Sequence, residues 1–152
     1  MKLFEKKEKT NYTVIIGCGH FGSSLANTLC NEGGVVLVVD SNNGAFSKLV
    51  APLLYLGFTT LIGDATDIDV LLEAQVEKAT AVIVATNNDN TNIMIAQIVK
   101  ELFKNERVIA KLNDTERECV YRKLGIDTIS PAALFVKESC GWLTDAQKEV
   151  DV

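Results

Sequence analysis

The segment Val14-Ile15-Ile16-Gly17-Cys18-Gly19-His20-Phe21-Gly22 constrains this chain more than any other. An apolar run stops at a glycine-rich turn, and a helical pattern restarts with Phe21, Leu25 and Leu29 at i, i+4 and i+8. A strand that becomes a helix this abruptly needs a backbone free of Cβ atoms at the bend. Gly17 permits the tight turn, Gly19 lets backbone N–H groups approach an anion, and Gly22 lets the helix lie close to the strand. Cys18, His20 and Phe21 fill the positions between them. The helix begins here with its positive end exposed, so the turn reads as the pyrophosphate element of a nucleotide site.

The second element agrees. Gly33-Gly34 stops the helix, and Val35-Val36-Leu37-Val38-Val39 reads as a strand buried on both faces that ends at Asp40. An acidic residue roughly 20 positions after the first motif glycine is placed to accept hydrogen bonds from ribose hydroxyls. Asp40 fits that role, with Ser41 beside it at the strand end. A carboxylate there repels a 2′-phosphate, so NAD(H) or plain adenine nucleotides are expected and NADP(H) is disfavoured. Capping of the following helix is the competing role for Asp40.

The same alternation continues along the chain. Strands are expected near 12–17, 35–40, 58–62, 80–85, 107–112 and 126–130, and helices near 20–31, 43–55, 67–74, 89–104, 114–124 and 131–143. Phe46, Leu49, Val50, Leu53 and Leu54 form a helical stripe, Gly125 follows Leu124 as a stop, and Ser130-Pro131 pairs an N-cap with a first-turn proline. Strict β-α alternation implies parallel strands joined by right-handed crossovers. The expected fold is α/β, a Rossmann-like doubly wound six-stranded sheet in the order 3-2-1-4-5-6. One nucleotide-binding domain spans 11–143, between a flexible N-terminal tail at 1–10 and a C-terminal tail at 144–152. That order puts the ligand crevice between the first and fourth strands. Polar residues gather at its expected rim: Gly63-Asp64-Ala65-Thr66-Asp67 after the third strand, and Ala85-Thr86-Asn87-Asn88-Asp89-Asn90-Thr91-Asn92 at the end of the fourth. Asp64 is placed to accept from an adenine amino group or a ribose, while Thr86 and Asn87 face the glycine turn. Helix capping is the alternative role for each.

Composition excludes several classes. A formal net charge of −5 argues against a nucleic-acid surface, which needs clustered Lys and Arg. No apolar run approaches the ~20 residues of a membrane span, and no signal-peptide segment opens the chain, so a cytoplasmic protein without membrane insertion is expected. Cys18, Cys30, Cys119 and Cys140 lack C-x-x-C spacing, and His20 is the only histidine, so no metal site is expected. Free buried thiols are expected instead. Cys18, at a helix start, has a lowered pKa and redox sensitivity as its sharper alternative.

Taken together, Gly17-Cys18-Gly19-His20-Phe21-Gly22-Ser23, Asp40, Gly63-Asp64-Ala65-Thr66-Asp67, Ala85-Thr86-Asn87-Asn88-Asp89-Asn90-Thr91-Asn92 and Leu124-Gly125-Ile126-Asp127 resemble the nucleotide-binding regulatory domain of Trk/Ktr-type potassium uptake systems, the TrkA N-terminal, KTN or RCK-N family. The resemblance runs in family order from about Tyr12 to Leu143. It implies a cytosolic subunit that binds NAD(H), ATP, ADP or AMP and gates a potassium-transporting membrane partner, with the domains dimerising and forming rings. It also implies that Lys111 approaches the ligand phosphates; a snorkelling surface lysine is the alternative. His20 stands where many members carry arginine, which weakens attraction for a terminal phosphate. The basic stretch Tyr121-Arg122-Lys123-Leu124-Gly125 stands where some members carry an acidic metal-holding residue.

No catalytic constellation is visible. Ser23 and Ser24 lack the G-x-S-x-G elbow, and His20 has no acidic partner close in sequence. A nucleotide sensor is therefore expected rather than an enzyme. An NAD-dependent oxidoreductase's cofactor domain and a freestanding nucleotide or redox sensor are the alternatives. Ala132, Phe135, Val136, Cys140, Trp142 and Leu143 give the last helix a wide apolar face, expected to pack on a second subunit, or else to cover its own sheet.

Overall fold

The computed structural model describes residues 11–50 and 58–150. The elements run β1 (Tyr12–Ile16), α1 (His20–Asn31), β2 (Val35–Asp40), β3 (Phe58–Ile62), α2 (Ile68–Glu73), β4 (Ala81–Val84), α3 (Asp89–Glu101), β5 (Val108–Lys111), α4 (Glu118–Lys123), β6 (Asp127–Ile129) and α5 (Pro131–Val150). The strands form one six-stranded parallel sheet in the order β3-β2-β1-β4-β5-β6, as the alternation predicts.

Strand side chains alternate between two cores. Val14, Ile16, Leu37, Val39, Val82, Val84, Val108 and Ala110 face one side, under Leu71 of α2, Ile93, Ala96 and Val99 of α3 and Tyr121 of α4. Ile15, Val36 and Val38 face the other, under Ala26 and Cys30 of α1. Among the described residues this second face is covered only over its β1–β2 half. Toward β6 it carries Ile83 and Ile109, half-buried, and Ile129, exposed.

Local chemistry sets the boundaries. Helix α1 ends in a Schellman turn: Gly33 takes φ +85°, its N–H donates to Cys30 O, and Gly34 N–H donates to Leu29 O. Helix α3 starts at Asn88, whose side chain accepts from Thr91 N–H at 2.9 Å. Helix α5 starts at Ser130, whose hydroxyl accepts from Ala133 N–H.

Two expected helices are shorter than their patterns. Over the described part of the expected 43–55 helix there is a 3₁₀ turn, Asn43–Lys48, and Leu49 has extended backbone. Asn42 accepts from Gly44 N–H and Ser47 donates to Gly44 O, so local side-chain bonds compete with the α ladder. Leu53 and Leu54 of that stripe lie outside the described residues, as does the expected tail at 1–10. The helix over 114–124 divides into a 3₁₀ turn, Thr115–Arg117, and α4. The last helix, by contrast, runs beyond 143 to Val150, through most of the expected tail. It does not cover its own sheet: Phe135 is 73% and Trp142 70% exposed. Among the described residues no helix is long and apolar enough to cross a membrane.

The junction of β1 and α1 is the tightest point of the fold. A Cβ on Gly22 would lie 1.8 Å from the carbonyl oxygen of Gly17, a backbone atom that cannot move aside. Gly141, inside α5, has nothing within 4 Å of the same construction. Gly22→Ala is expected to destabilise the domain by about 3 kcal/mol. Gly141→Ala should stabilise it by about 0.5–1 kcal/mol, the helix-propensity gain. Urea unfolding midpoints of the two variants measure both.

Candidate functional site

A cleft of about 450 Å³ opens where β1 and β4 part, at the carboxyl ends of the strands. Its floor is the glycine turn. Gly17 takes φ +101° and donates its N–H to Val39 O at 2.8 Å, and a Cβ there would lie 2.7–2.8 Å from the Ala85–Thr86 backbone. Protein packing therefore demands glycine at 17 as it does at 22. Gly19 differs: the nearest atom to a Cβ there is Asn87 Oδ1, at 3.9 Å. No protein contact requires glycine at 19, so the space above it is a cradle a side chain would fill.

Gly19 is the N-cap of α1, and the first intrahelical bond runs from Ser23 N–H to Gly19 O. Helix geometry leaves the amides of Gly19, His20, Phe21 and Gly22 without acceptors in the helix. The cap position supplies no side-chain acceptor either. These donors and the helix dipole suit an anion.

Asp40 stands on one wall. Its Oδ2 accepts from Cys18 N–H at 2.7 Å and its Oδ1 from Asn42 N–H at 2.8 Å. One carboxylate thus anchors the glycine turn and shapes the turn after β2. Each oxygen keeps a lone pair for a hydroxyl donor. Ser41 lines the cleft beside it, followed by Asn42, Ala45 and Lys48. Beyond lie Gly63, Asp64 and Ala65. Gly63 donates its N–H to Asp40 O, and Val70 methyl groups lie 2.8–2.9 Å from where its Cβ would be. Asp64 accepts from both the amide and the hydroxyl of Thr66, which hold its carboxyl below the usual carboxylate range. Thr66 spends its hydroxyl on that turn and lies outside the cleft lining.

Ala85, Thr86 and Asn87 form the opposite wall, with Asn88, Thr91 and Ile95. Asn92, fully buried, braces this wall through four hydrogen bonds with Thr86 and Lys111.

The remaining predicted residues sit behind the turn. His20 is exposed and meets the Phe21 ring edge-on at 5.5 Å. Lys111 is no snorkelling surface lysine. It is 8% exposed, with its ammonium 5.1 Å over the Phe21 ring, and burial lowers its pKa while Asp89 partly restores it. His20, Phe21, Gly22 and Lys111 are absent from the cleft lining. Lys48, Asn42 and Ala45, which motif reading passed over, are present. Their signal was the Asn42-Asn43-Gly44 turn sequence, hidden by the apolar stripe that follows it.

Two of the cysteines are the free buried thiols expected and two are not. Cys18 and Cys30 are buried, whereas Cys119 and Cys140 are exposed. Burial raises the Cys18 thiol, with the Asp40 charge adding to it and Lys48 opposing. The helix-start position therefore does not activate it.

Comparison with known proteins fits this geometry. The TrkA-N domain model matches residues 13–131. The chain belongs to the TrkA-N domain family. Among curated TrkA-N relatives, the Trk system potassium uptake protein TrkA of Streptomyces coelicolor is 37% identical over 119 residues, covering 78% of this chain and 52% of that protein. The chain spans about half the length of the curated TrkA proteins it matches. Among solved structures, the TrkA-N domain of the Escherichia coli inner membrane protein ybaL superposes with a TM-score of 0.74 at 18% identity, covering 88% of this chain and 97% of that one. GsuK bound to ADP gives 0.68 at 25% identity, covering 84% of this chain and 32% of that one.

The thiol arrangement is checkable. Cys119 and Cys140 should react with iodoacetamide at neutral pH while Cys18 and Cys30 resist until the domain unfolds. The raised folded-state values at Cys18 and Cys30 also set a sign: the unfolded thiols ionise first, so stability should fall as pH climbs past their ordinary value of 9.0. Mass-spectrometric mapping of alkylated sites and unfolding curves above that pH measure the two effects.

Proposed function

We propose that this chain is the nucleotide-sensing domain of a potassium-transport system. It binds NAD(H), ATP, ADP or AMP in the β1–β4 cleft and gates a membrane partner from the cytoplasmic side. The observation that carries the reading is the Gly19 cradle, open to ligand and rimmed by helix-start amides without acceptors. The diphosphate sits on Gly17, Cys18, Gly19, His20, Phe21 and Gly22, and Asp40 with Ser41 holds the neighbouring ribose. Gly63, Asp64, Ala65 and Thr66 flank the adenine side, and Ala85, Thr86 and Asn87 flank the other end. Lys111 adds positive potential behind the turn. The Asp40 carboxylate disfavours NADP(H) by repelling a 2′-phosphate. TrkA relatives named for potassium uptake, and the 25% identical structure of GsuK bound to ADP, support the assignment.

The domain acts as a sensor rather than an enzyme. Ligands bias two conformations by their difference in affinity, typically about 1–3 kcal/mol of coupling. The output surface is α5 and the bare sheet face beside it. Phe135, Val136, Trp142 and Leu143 are exposed on the helix, and Ile129 is exposed on the sheet. Together they form an apolar surface fitted to a second copy of the domain, giving a dimer and, by repetition, a ring.

Gly19→Ala separates binding from folding, because no protein atom lies closer than 3.9 Å to the new methyl group. Calorimetric titration with NAD+, ADP and AMP should show at least tenfold weaker binding, with unfolding free energy within about 0.5 kcal/mol of the parent. Asp40→Ala should weaken all three ligands, since each carries the adenosine ribose. Undiminished affinity in both variants would refute the placement. Sedimentation velocity over a hundredfold concentration range should show a dimer, and Trp142→Asp should shift it to monomer.

A further inference from the structure

We infer that Asn92 locks the Thr86 hydroxyl as an acceptor toward the cleft, so that the β4 wall selects a hydroxyl-bearing group, the second ribose of a dinucleotide, over an additional phosphate. This rests on the nucleotide reading above and specifies which ligand class the far end of the cleft takes.

The argument starts from the orientation of the Asn92 carboxamide. Its Nδ2 donates to Thr86 O at 3.1 Å and to Lys111 O at 3.0 Å. A flipped amide would set oxygen against these two carbonyls, so Oδ1 must be the atom facing Thr86. Oδ1 accepts from Thr86 N–H at 2.9 Å, which independently fixes the same orientation. The Thr86 Oγ1 lies 2.5 Å from this oxygen. An amide oxygen cannot donate, so the hydroxyl proton must point at Asn92.

Thr86 then has no proton left for a ligand. Its Oγ1 accepts from Asn88 N–H at 3.3 Å, and its 3.4 Å approach to Asn88 O lacks a proton to fill it. One lone pair remains, on a half-buried residue that lines the cleft. That lone pair welcomes a hydroxyl donor and opposes a phosphate oxygen. The diphosphate cradle lies at Gly19 and the Asp40 wall takes one ribose, so the Thr86 wall faces whatever follows the second phosphate. Lys111, the nearest cation behind the turn, is turned onto Phe21 and offers no ammonium within the cleft lining, and the cation that does line the cleft, Lys48, belongs to the Asp40 wall opposite Thr86.

The test is isothermal titration of the full chain with NAD+ and ADP, for the parent, Thr86→Val and Thr86→Ser. Loss of one neutral hydrogen bond should weaken NAD+ about five- to tenfold in Thr86→Val, leave ADP within about twofold, and be rescued in Thr86→Ser. Equal changes for the two ligands, or none, would overturn the inference while leaving the nucleotide site standing. Failure of the parent to bind either ligand would overturn both.

Discussion

The close approach of Gly22 to the Gly17 carbonyl governs the rest of the molecule. It lets α1 begin where β1 ends, with the helix axis leaning on the strand and its free amides turned into the gap beside β4. A single methyl group at this contact would push the helix outward and carry the anion cradle with it. The sheet supplies the complementary constraint. Gly17 donates to Val39 O and Ala85 donates to Ile16 O, so both neighbouring strands grip the bend. The parting of β1 and β4 immediately beyond this point creates the cleft.

Electrostatics refine what sterics begin. The Asp40 carboxylate binds the Cys18 amide and so removes one donor from the turn, leaving the amides from Gly19 onward for an anion. Across the cleft, Asn92 spends every hydrogen-bonding position on backbone and hydroxyl groups of Thr86 and Lys111. Each wall is held by one buried or half-buried side chain whose polar atoms are committed to backbone. Such backbone-anchored groups fix geometry because any displacement breaks the hydrogen bonds that hold them.

Much of this was legible in the sequence. The sheet order followed from alternation, and the caps at Asn88 and Ser130 and the stop at Gly33 follow from side-chain chemistry that acts over a few residues. The misreadings share a cause. Phe46 and Leu49 do face the core, as the stripe required, but a 3₁₀ turn and an extended residue place them there as well as a helix would. Lys111 had two roles open in the sequence, and only the fold shows its ammonium set over the Phe21 ring. Cys18 is the buried thiol expected of it, and dehydration with the Asp40 charge is what rules out the activated alternative. Burial and through-space neighbours decide these cases, and neither is written in local spacing.

The double engagement of Asp40 also bears on redesign of the ligand preference. The usual route to accepting a phosphorylated ribose is to neutralise the acid after the second strand. In this domain that exchange would free the Cys18 amide and slacken the turn after β2 together. The glycine turn would gain a free donor as the ribose contact proposed for Asp40 was lost. On the proposed nucleotide reading, ligand preference and loop architecture are coupled through one side chain, and a change of ligand class requires a replacement anchor for Cys18 alongside any new phosphate-binding cation.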